Sequence, residues 1–347
     1  MIDSNIYQED LRAILNHDYP WEQLEGHDVM ITGANGLIGS IIVDVLIALL
    51  DKYDFSLTAV SRNKESLEKN FSYCKNEKFN IVSKDVNEPM DEFESDIIFH
   101  CASNTHPQQY STDPIGTIFT NVIGLKNLLD MASKRQNSKF IFASSVEVYG
   151  INDKDALDET SHGYIDCNTL RAGYNESKRL GESICQAYRY KHDIKCIIPR
   201  ISRCYGPSLK PDDTKALSQF IKNGLSKKDI VLKSKGMQRY SYCYSADAAN
   251  ALLYLLFYGK DGDVYNISGP DNDMRLNDIA EYIAKISGTE VVYDIPDEIE
   301  SIGYSKAENA VLDISKIKSL GWMPQYNLKD GLLRTITSFG ESTRGQK

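Results

Sequence analysis

No apolar stretch in this sequence is long enough to cross a membrane. The longest, Leu37 to Leu50, is interrupted by Gly39, Ser40 and Asp44, and a spanning helix needs roughly 20 apolar residues. There is no basic excess either: 39 Lys and Arg stand against 49 Asp and Glu, a formal charge of −10. Nucleic-acid binding draws on clustered cations that release counterions; the charge therefore argues against it, and any anionic ligand must be held locally. The amino end, MIDSNIYQEDLRAILNHD, is acidic where a secretory signal would be basic and then apolar. The seven cysteines form no Cys-x-x-Cys pair, and no His/Cys cluster has metal-ligand spacing. The expectation is a soluble, cytoplasmic chain with reduced thiols, no metal, no membrane partner and no nucleic acid.

What the sequence does have is length and rhythm. Its 347 residues, 41% of them hydrophobic, suit one large domain or two coupled lobes. Residues 1–27 form a lead segment with Ile6, Leu11, Ile14 and Leu15 at helical spacing, a packing helix without chemistry. From Asp28 short apolar runs (29–32, 56–60, 80–82, 96–100, 139–143, 195–199) alternate with helical stretches, notably 116–133 and 172–191. This pattern predicts an α/β fold, a doubly wound parallel sheet of Rossmann type covered on both faces. Residues 28–207 are expected to be this Rossmann-type domain. Residues 208–340 are expected to form mainly a smaller mixed α/β substrate lobe, with some segments returning to the sheet.

Three glycines, Gly33, Gly36 and Gly39, spaced three apart, lie between the first strand and the first helix of that rhythm. Glycine permits a tight turn and close backbone approach to a pyrophosphate, while the helix amino end offers free N–H groups. The next strand ends in Ser61-Arg62-Asn63. A carboxylate there would favour NAD by accepting from the ribose hydroxyl; Ser61 and Arg62 also fit a 2′-phosphate, so NADP is an alternative. Asp85, after the third run, is a candidate for the adenine amino group. Tyr174 and Lys178 stand at i and i+4 on one helix face. A neighbouring ammonium favours the phenolate, as a base taking a hydroxyl proton requires. Ser145, at a strand end, can donate to the same substrate oxygen.

With these motifs the sequence resembles the extended short-chain dehydrogenase/reductases, the NAD-dependent nucleotide-sugar epimerases, dehydratases and decarboxylases, over about residues 28 to 338. The likeness rests on Gly33-x-x-Gly36-x-x-Gly39, His100-Cys101-Ala102-Ser103, Thr120-Asn121, Ser144 through Gly150, Tyr174-x-x-x-Lys178 and Arg200-x-x-x-x-Tyr205-Gly206-Pro207. It implies a catalytic set of Ser145, Tyr174 and Lys178, with Glu147 a proton carrier at C5. It also implies a cofactor site including Asn35, Leu37, Ile38, Val86, Cys101, Ala102, Ser103 and Asn121 besides the residues above. Thr105, Asn175, Arg203, Gln219, Arg239 and Tyr240 are the implied substrate contacts.

Within the family, Asp85 to Pro89, Tyr110 through Asn121 and Tyr174 to Arg179 look most like UDP-glucuronate decarboxylases. The shared logic would be oxidation at C4, chemistry eased by the 4-keto group, and reduction by the same cofactor. Three features depart from that pattern. Val146 stands where dehydratases carry an aspartate and decarboxylases a serine. Arg203 replaces the usual asparagine; and at Gln238-Arg239-Tyr240 the arginine that commonly binds the pyrophosphate comes one position early, while Tyr304-Ser305-Lys306 lacks the decarboxylases' basic run. We expect Arg203, with Arg239, to clamp a diphosphate bidentately. The competing readings are a C4 epimerase or 4,6-dehydratase, a simple reductase that releases its cofactor, and a cofactor-binding regulator without turnover. The resemblance implies a homodimer through the helices 116–133 and 172–191, unless the amino-terminal segment covers their second apolar face.

Overall fold

The computed structural model describes residues 4–105, 112–210, 213–271, 273–295 and 307–344. Seven parallel strands build the main sheet in the spatial order Val264–Ile267, Lys195–Ile201, Lys139–Phe142, Ile97–His100, Asp28–Thr32, Ser56–Ser61, Phe79–Ser83. A two-residue extension, Ser144–Ser145, also pairs with Lys195–Ile201. The chain order reverses between Asp28–Thr32 and Ile97–His100, the crevice where ligands of such sheets bind.

Alternation along the strands explains the layers. Val29, Ile31, Ile97, Phe99 and Ile141 point into one core, and Met30, Ile98, Phe140 and Phe142 into the other. Both sets are buried, each side chain contributing roughly 1.5–3 kcal/mol. Period-2 side chains buried on both faces give the continuous apolar runs legible in the sequence. Helices Gly39–Ile47 and Ser245–Tyr258 supply the first core, Leu125–Ala132 and Ala172–His192 the second.

The expected helix at 116–133 begins instead at Pro114, N-capped by Asp113 accepting from Gly116 N–H, and holds a π-helical segment, Thr120–Gly124. Such bulges cluster at functional sites, and Asn121 lies in this one. After Pro207, the strand Arg239–Tyr240 pairs with Met274–Arg275 and Asn309–Ala310, and Ile230–Leu232 pairs with Val291–Tyr293. Helices Ala216–Leu225 and Leu276–Ser287 pack beside them.

The amino-terminal helix Asn5–Leu15 packs on Gly39–Ile47, Ser245–Tyr258 and Leu328–Arg344. Tyr7 and Tyr73 both donate to Asp44, and Asp10 accepts from Tyr244 and Arg334. This docking removes one of the two alternatives left open for helices 116–133 and 172–191. The segment does not cover the second face of helices 114–132 and 172–192, and there Ile115, Phe119 and Leu180 are exposed by 64%, 51% and 49%. No helix among the described residues is long and apolar enough to cross a membrane, and they contain no group of His, Cys, Asp and Glu that could hold a metal.

Candidate active site

At the carboxyl ends of the central strands a cleft of about 780 Å³ opens between the sheet and the later segments. Gly33 begins its floor with φ +70°, and a Cβ there would sit 2.7 Å from Ala102 N and Cys101 O. A Cβ on Gly39 would meet Gly33 O at 2.5 Å, and one on Gly36 would meet it at 2.9 Å. The loop therefore folds on itself and against Cys101-Ala102 only without side chains, which leaves backbone facing the cleft. That cradle fits a dinucleotide pyrophosphate. Leu37, Ile38, Cys101 and Ser103 continue the lining. Asn35 turns away, donating to Ser61 Oγ at 3.3 Å and Asn63 O at 3.4 Å, so it ties the loop to the next strand.

Helix Ala172–His192 brings Tyr174 and Lys178 to this floor. Its Gly181 lets it lie close on the sheet, since a Cβ there would be 2.6 Å from the Phe142 ring. One turn earlier, buried Lys178 donates to Ala143 O at 2.8 Å and lies 4.7 Å from the Phe142 ring centroid. Burial pushes its ammonium down to about 8. Tyr174, also buried, and Ser145 line the same cleft. Asn121 supports them from the π segment, accepting from Ser103 Oγ at 2.8 Å and donating to Ser177 Oγ at 3.0 Å.

Glu147 lines the cleft beside Ser145 and Tyr174. Arg171 Nη2 lies 2.9 Å from its Oε2 and Arg203 Nη2 3.3 Å from its Oε1. Asn175 donates to its backbone oxygen at 2.9 Å and to Oε2 at 3.4 Å. Burial would raise this carboxyl, but the two guanidiniums outweigh it and hold Glu147 below the ordinary glutamate range. Arg203 stacks on the Tyr240 ring, 3.6 Å from its centroid.

The two arginines expected to clamp a diphosphate make different contacts. Arg203 faces Glu147, and Arg239 is not among the cleft-lining residues: Asp273 engages it on two nitrogens and Asp155 lies 3.4 Å away. Gln219, Thr105 and Tyr240 do line the cleft. Gln219 donates to Asp213 O at 2.7 Å, and Tyr240 to Ala307 O at 2.9 Å. Ser61, Arg62, Asp85 and Val86 lie outside it. Arg62 is exposed and donates to Asn104 at 3.2 Å; Asp85 accepts from Asn87 N–H at 2.9 Å. Tyr110 and Tyr304-Ser305-Lys306 lie outside the described residues. Arg171 was missed from the sequence because it precedes the helix and belongs to no motif; its i+4 spacing to Asn175 was the available signal.

A glycine cradle at a sheet's switch point, opening onto a Ser/Tyr/Lys wall, defines a Rossmann-type nicotinamide enzyme. Residues 29–268 match the model of the NAD dependent epimerase/dehydratase family, and the chain belongs to that family. It is 31% identical over 316 residues to UDP-glucuronic acid decarboxylase 3 of Arabidopsis thaliana, covering 88% of this chain and 86% of that one. To UDP-glucuronic acid decarboxylase 1 of Xenopus tropicalis it is 29% identical over 324 residues, with coverages of 92% and 73%. Among solved structures, UDP-glucuronic acid 4-epimerase from Bacillus cereus, in complex with UDP-glucuronic acid and NAD, shares the fold. Its TM-score is 0.77 at 24% identity, covering 91% of this chain and 99% of that one. UDP-glucose 4-epimerase from Thermotoga maritima does so with a TM-score of 0.78 at 23% identity and the same coverages.

Proposed function

We propose that this protein oxidises a nucleotide sugar at C4 with bound NAD, decarboxylates the 4-keto sugar as UDP-glucuronate decarboxylases do, and reduces the product again. The observation that carries this reading is the convergence on one cleft of the glycine cradle, Ser145, Tyr174, Lys178 and an ionised Glu147. Residues 28–207 hold the cofactor and 208–340 mainly the substrate. Gly33, Gly36, Leu37, Ile38 and Gly39 receive the pyrophosphate, Ser61 and Arg62 the adenosine ribose, and Lys178 the nicotinamide ribose. NAD supplies the hydride acceptor at C4 and later the donor.

Tyr174 takes the proton of the C4 hydroxyl, and Lys178 beside it favours the phenolate. Ser145 donates to the same oxygen. With C4 a ketone, the bond from C5 to the carboxylate breaks. Its electron pair delocalises onto the C4 oxygen, and carbon dioxide leaves. C5 then accepts a proton from solvent by way of Glu147, and Tyr174 returns its own proton to O4 as C4 is reduced. Val146 offers no acid for a leaving hydroxyl, which sets dehydration aside. It also lacks the decarboxylases' hydroxyl, and this keeps C4 epimerisation as the second reading. The exposed Ile115, Phe119 and Leu180 support a homodimer through their helices.

Mass spectrometry after incubation of the NAD-loaded protein with UDP-glucuronate tests the proposal. Loss of the mass of carbon dioxide is expected. Loss of water, or a new isomer of unchanged mass, would replace it with dehydration or epimerisation.

A further inference from the structure

Arg203 is set apart by where its guanidinium sits and by what is left unpaired on it. Its Nη1 is buried and has no hydrogen-bond partner in the structure. An unmet donor on a charged group costs more than one on a neutral group. Its one carboxylate neighbour among the described residues is Glu147, through a single contact at 3.3 Å. Glu147 has a shorter pair of its own, Arg171 at 2.9 Å, and the Asn175 amide besides. Arg203 can therefore turn to another anion without leaving Glu147 unpaired. Tyr240 holds the guanidinium plane at 3.6 Å, and cation–π stacking of this kind orients a guanidinium while leaving its N–H edge to bind.

The position fixes which part of a substrate the guanidinium meets. Glu147 is two residues from Ser145, and Asn175, which grips it, follows Tyr174 directly. Arg203 thus lies at the reacting sugar. Asp273 and Asp155 engage Arg239 away from the cleft, and the other arginine beside Arg203 in the cleft, Arg171, is held by Glu147.

Resting on the C4-oxidation reading above, we infer that Arg203 is the specificity residue for an acidic sugar: it binds the C6 carboxylate of a nucleotide-linked hexuronate and thereby excludes neutral hexoses. On binding, the sugar carboxylate takes the place of Glu147 at Arg203, while Glu147 stays with Arg171. Losing one of its two cations raises the affinity of Glu147 for a proton, as its part in protonating C5 requires. The recognition step makes and breaks no covalent bond.

Calorimetry on the protein loaded with reduced NAD, which cannot accept the C4 hydride, separates the possibilities with UDP, UDP-glucose and UDP-glucuronate as ligands. Wild type should bind UDP-glucuronate at least about tenfold more tightly than UDP-glucose, as one charge-assisted contact provides. Arg203→Asn should abolish that difference and leave UDP affinity within about twofold. Arg203→Lys, which keeps the charge but not the fork, should restore part of it. Equal affinity of wild type for the two sugars, including binding of neither, would overturn the inference. So would a parallel fall in UDP and UDP-glucuronate affinity in Arg203→Asn, which would place the arginine on the diphosphate. Turnover plays no part in this readout, so discrimination without carbon dioxide loss would sink the decarboxylation and leave the acidic-sugar site standing.

Discussion

The two ends of the cleft are built by different means. At the glycine-loop end the shape comes from backbone: Gly33, Gly36 and Gly39 lie where a methyl group would collide with a neighbouring main chain at 2.5–2.9 Å. At the Glu147 end it comes from charge, with Glu147 from a short helical turn, Arg171 from a helix start and Arg203 from a short strand meeting in one wall. A backbone cradle tolerates no substitution but needs no partner elsewhere. A charged wall depends on which side chains find each other across the fold.

Substitutions can break this contrast, and the largest effect falls where the two ends meet. Tyr174→Phe removes the proton acceptor at C4 and should lower kcat about 10²- to 10⁴-fold with NAD affinity unchanged, read by steady-state kinetics and calorimetry. Undiminished turnover would remove Tyr174 from the mechanism. At the backbone end, Gly33→Ala forces a methyl into Cys101-Ala102 at a positive φ. It should weaken NAD binding about a hundredfold by equilibrium titration and cost about 1–3 kcal/mol of stability.

At the charged end, Glu147→Gln strands the two guanidiniums and should cost about 3 kcal/mol in denaturant unfolding near neutral pH. The sign follows from the folded pKa, which lies below the unfolded value of about 4.3. The ion pair contributes fully above that value, and its contribution is lost as pH falls through the lower folded pKa. The stability gap between wild type and Glu147→Gln should therefore shrink only in that acidic window. A gap that closed already at pH 6 would contradict an ionised, doubly paired Glu147. The smallest effect is expected at Arg239, which is partly exposed and outside the cleft. Arg239→Ala should change stability by less than about 1 kcal/mol and UDP-sugar affinity by less than about twofold; a larger loss of affinity would return it to the substrate site.

The same contrast explains what could be read from the sequence. The strands followed from apolar runs, and Asp28–Thr32, Ser56–Ser61 and Lys139–Phe142 agree with those runs to within a residue, because burial on both faces leaves a continuous signal. The cradle followed from glycine spacing, and Tyr174 and Lys178 from helical spacing, both local rules. The charged wall did not follow. Arg239 looked like a phosphate ligand until Asp273, 34 residues on, engaged it. Arg203 is drawn to Glu147, 56 residues earlier, by a fold that no local pattern encodes. Arg171 carried only its offset of four from Asn175. The π segment at Thr120–Gly124 was hidden inside a stretch that looks plainly helical.

The central claim is that one bound cofactor removes and returns the same hydride at C4 while Tyr174 handles the proton. Turnover of UDP-glucuronate carrying deuterium at C4, in ordinary water, tests it most directly by mass and NMR of the product. The account predicts that the product has lost carbon dioxide and still carries the deuterium at C4. A product with hydrogen at C4, or deuterium released on free reduced cofactor, would contradict it.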